Sequence, residues 1–127
     1  MGERDFEEWM RFARDDLEAA QFLMGMSPRK LEVICFHCQQ SAEKYLKALL
    51  ARVDEPIPRT HVLLSLLDTV GTLFPATVSL APALSRLEPY AVGVRYPFQV
   101  EIMSGLEEAA LASAAAIATL IESLPAK

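Results

Sequence analysis

The sequence predicts an all-α protein, an antiparallel up-and-down bundle of four long helices with a short fifth, and three observations carry that expectation. Apolar residues recur at spacings of three and four through several long stretches, as one face of a helix requires. No stretch alternates apolar and polar residues as a strand would, and no repeat or low-complexity tract interrupts the chain. Its 127 residues make one domain, 1–127, long enough to bury a core without disulfides or a structural metal.

The first helix is expected from about Asp5 to Met24, where Phe6, Trp9, Ala13, Leu17, Ala20 and Met24 keep a helical period. Exposed i,i+4 pairs are expected between Glu7 and Arg11, Arg11 and Asp15, and Arg14 and Glu18. Asp15 and Asp16, beside Glu18, read as a solvated charge face rather than an acid–base pair, because successive helical residues diverge in direction. Gly25 offers a left-handed C-cap, and Ser27 with Pro28 offers an N-cap and a first-turn proline. A second helix would then run from Pro28 to about Val53, antiparallel to the first because the connection is short.

That second helix organises the chain. Cys35, Cys38, Ala42, Tyr45 and Leu49 fall along one side and can face a core, while His37, Gln40, Lys44 and Lys47 stack an imidazole, an amide and two amines along another. Cys35 and Cys38 form Cys-x-x-Cys, but there is no second cysteine pair and His37 does not point with both sulfurs. They read as buried core thiols, with no metal site.

Pro56 and Pro58 stiffen the following loop, since each disfavours α geometry at the residue before it. Thr60 is a candidate N-cap that would put His61 in the first turn of a third helix carrying Leu63, Leu64, Leu66 and Leu67 to about Val70. Beside Arg59, that helix start could receive a phosphate on its free N–H groups. Equally, His61 could cap the helix or pack against Tyr90 or Tyr96, and the sequence leaves both open.

Gly71 and Pro75 mark a break, and a shorter helix follows from Val78 to Leu87, provided Pro82 lies in its first turn. The connection after Pro89 carries Tyr90, Arg95, Tyr96 and Phe98, large residues of the kind that line sites or plug bundle ends. The last helix is expected from about Val100 to Leu124. Gly105, Ala109, Ala112 and Ala116 form a small-residue stripe, and Leu106, Ser113, Ile117, Leu120 and Leu124 a second packable face, which suggests contact with both the bundle and a partner.

Charge and hydropathy bound the function. Twelve Lys and Arg against seventeen Asp and Glu give −5, so the whole-molecule field repels nucleic acid and any contact with it must be local. A mean hydropathy of +0.21 is on the apolar side for a soluble domain, as a covered surface would make it. The start, MGERDFEEW, lacks a signal-peptide core, and no apolar run spans a membrane, so the chain reads as cytoplasmic.

The run from Phe36 to Leu50, FHCQQSAEKYLKALL, followed by Pro58-Arg59-Thr60-His61 and by Arg95-Tyr96-Pro97, resembles the HEPN domain family, the higher eukaryotes and prokaryotes nucleotide-binding domains, over nearly the whole chain. The resemblance implies a small helical bundle, a homodimer, and a partner that is a minimal nucleotidyltransferase, the two working as a toxin–antitoxin pair. It also implies a nucleotide or phosphate ligand, for which the candidate residues are His37, Gln40, Lys44, Lys47, Arg59, His61, Arg95 and Tyr96. No cofactor is expected.

Some relatives are metal-independent endoribonucleases whose motif is an arginine followed, after four to six residues, by a histidine. This chain lacks it: Arg29 to His37 leaves seven residues between, Arg52 to His61 eight, Arg59 to His61 one, and Arg95 precedes no histidine. A tyrosine two places after the histidine, present in some nucleotidyltransferase-linked members, is replaced by Gln39 or Leu63. The expectation therefore leans against an enzyme. A divergent RNA-cleaving toxin using His61 with Arg59 or Arg95, and a non-catalytic scaffold, stand as alternatives.

Overall fold

In a computed structural model of the chain, which describes residues 2–91 and 104–125, with side chains from Arg4 onward, the long stretches are helical. These are α1 (Gly2–Leu23), α2 (Leu31–Arg52), α3 (Leu63–Leu73), α4 (Ala81–Leu87) and α5 (Leu106–Glu122). Tight 3-10 turns at Pro75–Leu80 and Glu88–Tyr90 flank α4. No strand occurs among the described residues.

Helix α2 is the axis of the bundle and packs against all four other helices. The expected apolar side is in place: Cys35, Cys38, Ala42, Tyr45 and Leu49 are all buried. Ile34, Leu46, Ala48 and Leu50 bury the flanks of the same helix. Each large side chain so removed from water contributes about 1.5–3 kcal/mol. Ala13 of α1 and Ser41 of α2 are both buried, and these small residues let the two helices approach closely enough for Ser41 Oγ to donate to the Ala13 carbonyl at 2.8 Å. Contacts of Arg52 with Phe6, Lys47 with Trp9 and His37 with Asp16 along the pair show that α1 and α2 run antiparallel. Glu122 meets Arg14, and Glu107 meets Arg29, so α5 runs antiparallel to α1 and in the direction of α2, as alternating long helices require.

Several boundaries differ from the expectation for local reasons. Gly25 is not left-handed; α1 ends in tight bonds from Met24, Gly25 and Met26 to carbonyls three residues back. Ser27 and Pro28 do not start α2. Their bond is cis, and the helix begins at Leu31 after Lys30. At the other end, Asp54 takes the left-handed conformation (φ 57°), with Glu55 N bonded to the Leu50 carbonyl and Asp54 N to that of Ala51. That is a Schellman closure with Asp where Gly is usual.

Gly71 does not break α3, which continues to Leu73; a Cβ there would stand 3.0 Å from Val78, so glycine lets the Pro75–Leu80 turn fold back. The expected single helix from Val78 splits into that turn and α4, with Pro82 in the first turn of α4. Helix α5 begins at Leu106 because Gly105 holds φ at 105°, open to glycine alone at little cost. The expected start at Val100 lies outside the described residues.

On α5 the small-residue stripe faces outward: Gly105, Ala109, Ala112 and Ala116 are exposed, while Ala110, Ser113, Ala114, Ile117, Ala118 and Ile121 are buried. Of the second face, Ser113 and Ile117 are buried but Leu106 is exposed.

Candidate functional site

The polar stripe of α2 emerges where α1 and the 59–61 turn flank it, and two carboxylates organise it. Asp16 of α1 accepts from His37 Nδ1 at 2.8 Å through one oxygen and from Lys44 Nζ through the other. Glu43 of α2, with 5% of its side chain exposed, accepts from Lys47 Nζ at 2.9 Å and from His61 Nδ1 at 3.0 Å. Each of the chain's two histidines therefore shares a carboxylate with a lysine.

A carboxylate can only accept, so Nδ1 must carry the proton in both rings and Nε2 is left to other partners. His61 presents that nitrogen on a ring whose side chain is 68% exposed. Burial pushes the Glu43 carboxyl up, but Lys47 and His61 together outweigh it and hold the group below its ordinary range.

Amides tie the halves together. Gln39, fully buried, donates to the His61 carbonyl at 3.1 Å and to Glu43 at 3.3 Å, while Gln40 donates to the Gln39 side-chain oxygen at 2.8 Å. Lys47 also lies 5.9 Å from the centre of the Trp9 ring. Arg59 is exposed at the rim and has no ion pair among the described residues.

The structure thus brings His37, Gln40, Lys44, Lys47 and His61 onto one face with Arg59 beside it. Arg95 and Tyr96 lie outside the described residues. Thr60 does not cap α3. Its hydroxyl accepts from Val62 N at 3.1 Å, and His61 precedes the helix instead of lying in its first turn. The N–H groups of Leu63 and Leu64, which could have met a phosphate, both bond the Glu88 carboxylate at 3.0 Å. Nor does His61 pack on Tyr90, which lies against Cys35.

Three residues were missed from the sequence. Asp16 is a partner on the neighbouring helix and not part of a solvated face; Glu43 and Gln39 form the buried floor. Only the i,i+4 spacing of Glu43 and Lys47 signalled this in advance. The thiols behave as expected: burial raises Cys35 to about 11 and Cys38 to about 12, so neither is a ready nucleophile.

A central helix buried on nearly all sides, carrying paired imidazoles and lysines toward a proline-stiffened turn, defines a small helical-bundle domain. A search of family models matches the HEPN domain over residues 6–124, and the chain belongs to that family. Among solved structures it is similar to the crystal structure of TT1696 from Thermus thermophilus, at 27% identity and a TM-score of 0.74, covering 92% of this chain and 95% of that one. No curated protein matches the chain. No described helix is long and apolar enough to cross a membrane.

Proposed function

We propose that this HEPN domain binds a nucleotide or phosphate-bearing ligand on the α2 face bounded by the 59–61 turn, and that it does so as a homodimer working with a minimal nucleotidyltransferase in a toxin–antitoxin pair. The observation that carries the reading is the convergence of both histidines, Lys44, Lys47 and Gln40 on one face, beside an exposed Arg59 that has no ion pair among the described residues. Such a face offers cations and ring nitrogens within reach of one small ligand. Arg95 and Tyr96 complete the proposed set.

Calorimetry tests it. Arg59→Ala should weaken nucleotide binding about tenfold, the loss of about 1.4 kcal/mol expected for a charge-assisted contact, without moving the melting temperature. A parent protein that binds no nucleotide, alone or with its nucleotidyltransferase, would end this reading. Light scattering at micromolar concentration tests the dimer, and a strict monomer counts against it.

One observation favours a second reading, a divergent endoribonuclease. His61 is held by a buried carboxylate through Nδ1 with its ring exposed, the arrangement a general base needs. RNA left intact by the purified protein, or cut equally well after His61→Ala, removes that alternative.

A further inference from the structure

Helix α3 has no cap of its own. Its N-cap position is taken by Val62, which is extended (φ −84°, ψ 107°), exposed and without a side-chain acceptor. The acceptor comes from elsewhere: Glu88 spreads its two carboxylate oxygens over the N–H groups of Leu63 and Leu64, each at 3.0 Å. A cap supplied by residue 62 would stabilise α3 alone. One supplied from the Glu88–Tyr90 turn makes the start of α3 depend on where that turn sits.

The Glu88–Tyr90 turn sits on the same helix that seats the 59–61 turn. Tyr90 lies against Cys35 of α2, Gln39 donates to the His61 carbonyl at 3.1 Å, and Glu43 holds the His61 ring at 3.0 Å. Cys35, Gln39 and Glu43 are spaced by four residues, so they stack one turn apart along a single stripe of α2. The two turns are therefore neighbours on that stripe, and the Glu88 carboxylate bridges them. Leu63 and Leu87, both fully buried, anchor the two ends of the bridge. The contacts close a ring that runs from α2 through the 59–61 turn, the start of α3, Glu88 and Tyr90 back to α2.

With its consequence for binding resting on the nucleotide reading above, we infer that Glu88 is a positioning residue for the α2 face. By tethering the start of α3 to the Glu88–Tyr90 turn it seats the turn that carries Arg59 and His61, so ligand binding there is coupled to the seating of residues 88–90. The coupling runs both ways, as linkage requires.

Two variants separate a tether from a mere cap. Glu88→Ala should lower the melting temperature and speed amide exchange at Leu63 and Leu64 about tenfold, as loss of one hydrogen bond at each would. It should also shift the Gln39 side-chain amide resonances, which report the bond to the His61 carbonyl, and weaken ATP binding in calorimetry about fivefold or more. Adding Val62→Asp gives α3 a local cap. The double variant should regain the melting temperature while the Gln39 resonances stay shifted and ATP binding stays weak.

Recovery of the Gln39 resonances and of ATP affinity along with the melting temperature overturns the inference, because Glu88 would then be a cap and nothing more. So does a Glu88→Ala spectrum with the Gln39 resonances in place. Should Glu88→Ala fail to fold, Glu88→Gln, which keeps one acceptor oxygen, should shift the same resonances in the same direction, and unmoved resonances in it overturn the inference equally. A parent protein that binds no ATP overturns the nucleotide reading alone, and the Gln39 resonances still decide the tether.

Discussion

The two sides of α2 use one device to different ends. Toward α5, Glu122 takes the Arg14 guanidinium through both oxygens, at 2.7 and 2.8 Å, and the Tyr45 hydroxyl at 2.8 Å, so one carboxylate ties α1, α2 and α5 together. Away from α5, Glu43 gathers Lys47 and His61. The tyrosine has one proton and has used it, whereas the imidazole keeps a second nitrogen and the ammonium keeps further donors. A carboxylate whose buried partner has no group left, as Tyr45 has none, holds helices together; one whose partners are half-used holds them ready. Charge follows the same division. Glu122, held down chiefly by Arg14, raises the Tyr45 hydroxyl on top of what burial does, so Tyr45 stays protonated and structural.

The sharpest way to break this comparison is Glu43→Ala. Lys47 would remain buried with its charge unanswered, an arrangement that costs about 3–5 kcal/mol, read by chemical denaturation. A loss below about 1 kcal/mol would mean Lys47 swings into water and the cluster is a surface pair. Glu122→Ala should cost less, about 1–3 kcal/mol, because it strands the buried Tyr45 hydroxyl but leaves Arg14, half exposed, to water.

Acid should attack both sides together. Glu43 and Glu122 titrate below the ordinary carboxyl value of 4.5 when folded, so the unfolded chain takes up protons first. Their contribution is therefore present above about 4.5 and is lost as pH falls through the lower folded values. Denaturation midpoints between pH 6 and about 3 should decline in the parent and decline less steeply in each alanine variant.

How much of this could be read in advance differs along the chain. The buried side of α2 was legible because Cys35, Cys38, Ala42, Tyr45 and Leu49 obey a period set by the helix itself. Asp16 was not, because its partners His37 and Lys44 are more than twenty residues away and only the antiparallel packing of α1 on α2 introduces them. The start of α3 was misplaced for a related reason. Thr60 looks like a cap, yet the carboxylate that serves the first N–H groups comes from Glu88, brought back by α4. On α5, composition showed a small-residue stripe but not its direction, which the larger Ile117 and Ile121 settle by taking the core. Local periodicity writes elements; the site is written by contacts between them.

Asp16→Ala separates the two halves of the face. Asp16 is less buried than Glu43, and His37 and Lys44 are partly exposed, so both can turn to water and the loss should be about 1 kcal/mol. The ¹⁵N shifts of His37 should then move toward the Nε2–H form, while those of His61 stay put.

Arg14→Gln gives the smallest effect and the finest test. The Arg14 guanidinium is half exposed, so screening and side-chain entropy should hold the cost to about 0.5–1 kcal/mol, falling further at high salt. Glu122 would keep the Tyr45 hydroxyl, and because that bond is buried at its tyrosine end, the remaining stability should be nearly independent of salt. If instead Arg14→Gln costs as much as Glu122→Ala, the guanidinium from α1 and not the hydroxyl from α2 carries what Glu122 contributes, and the two sides of α2 differ in burial alone.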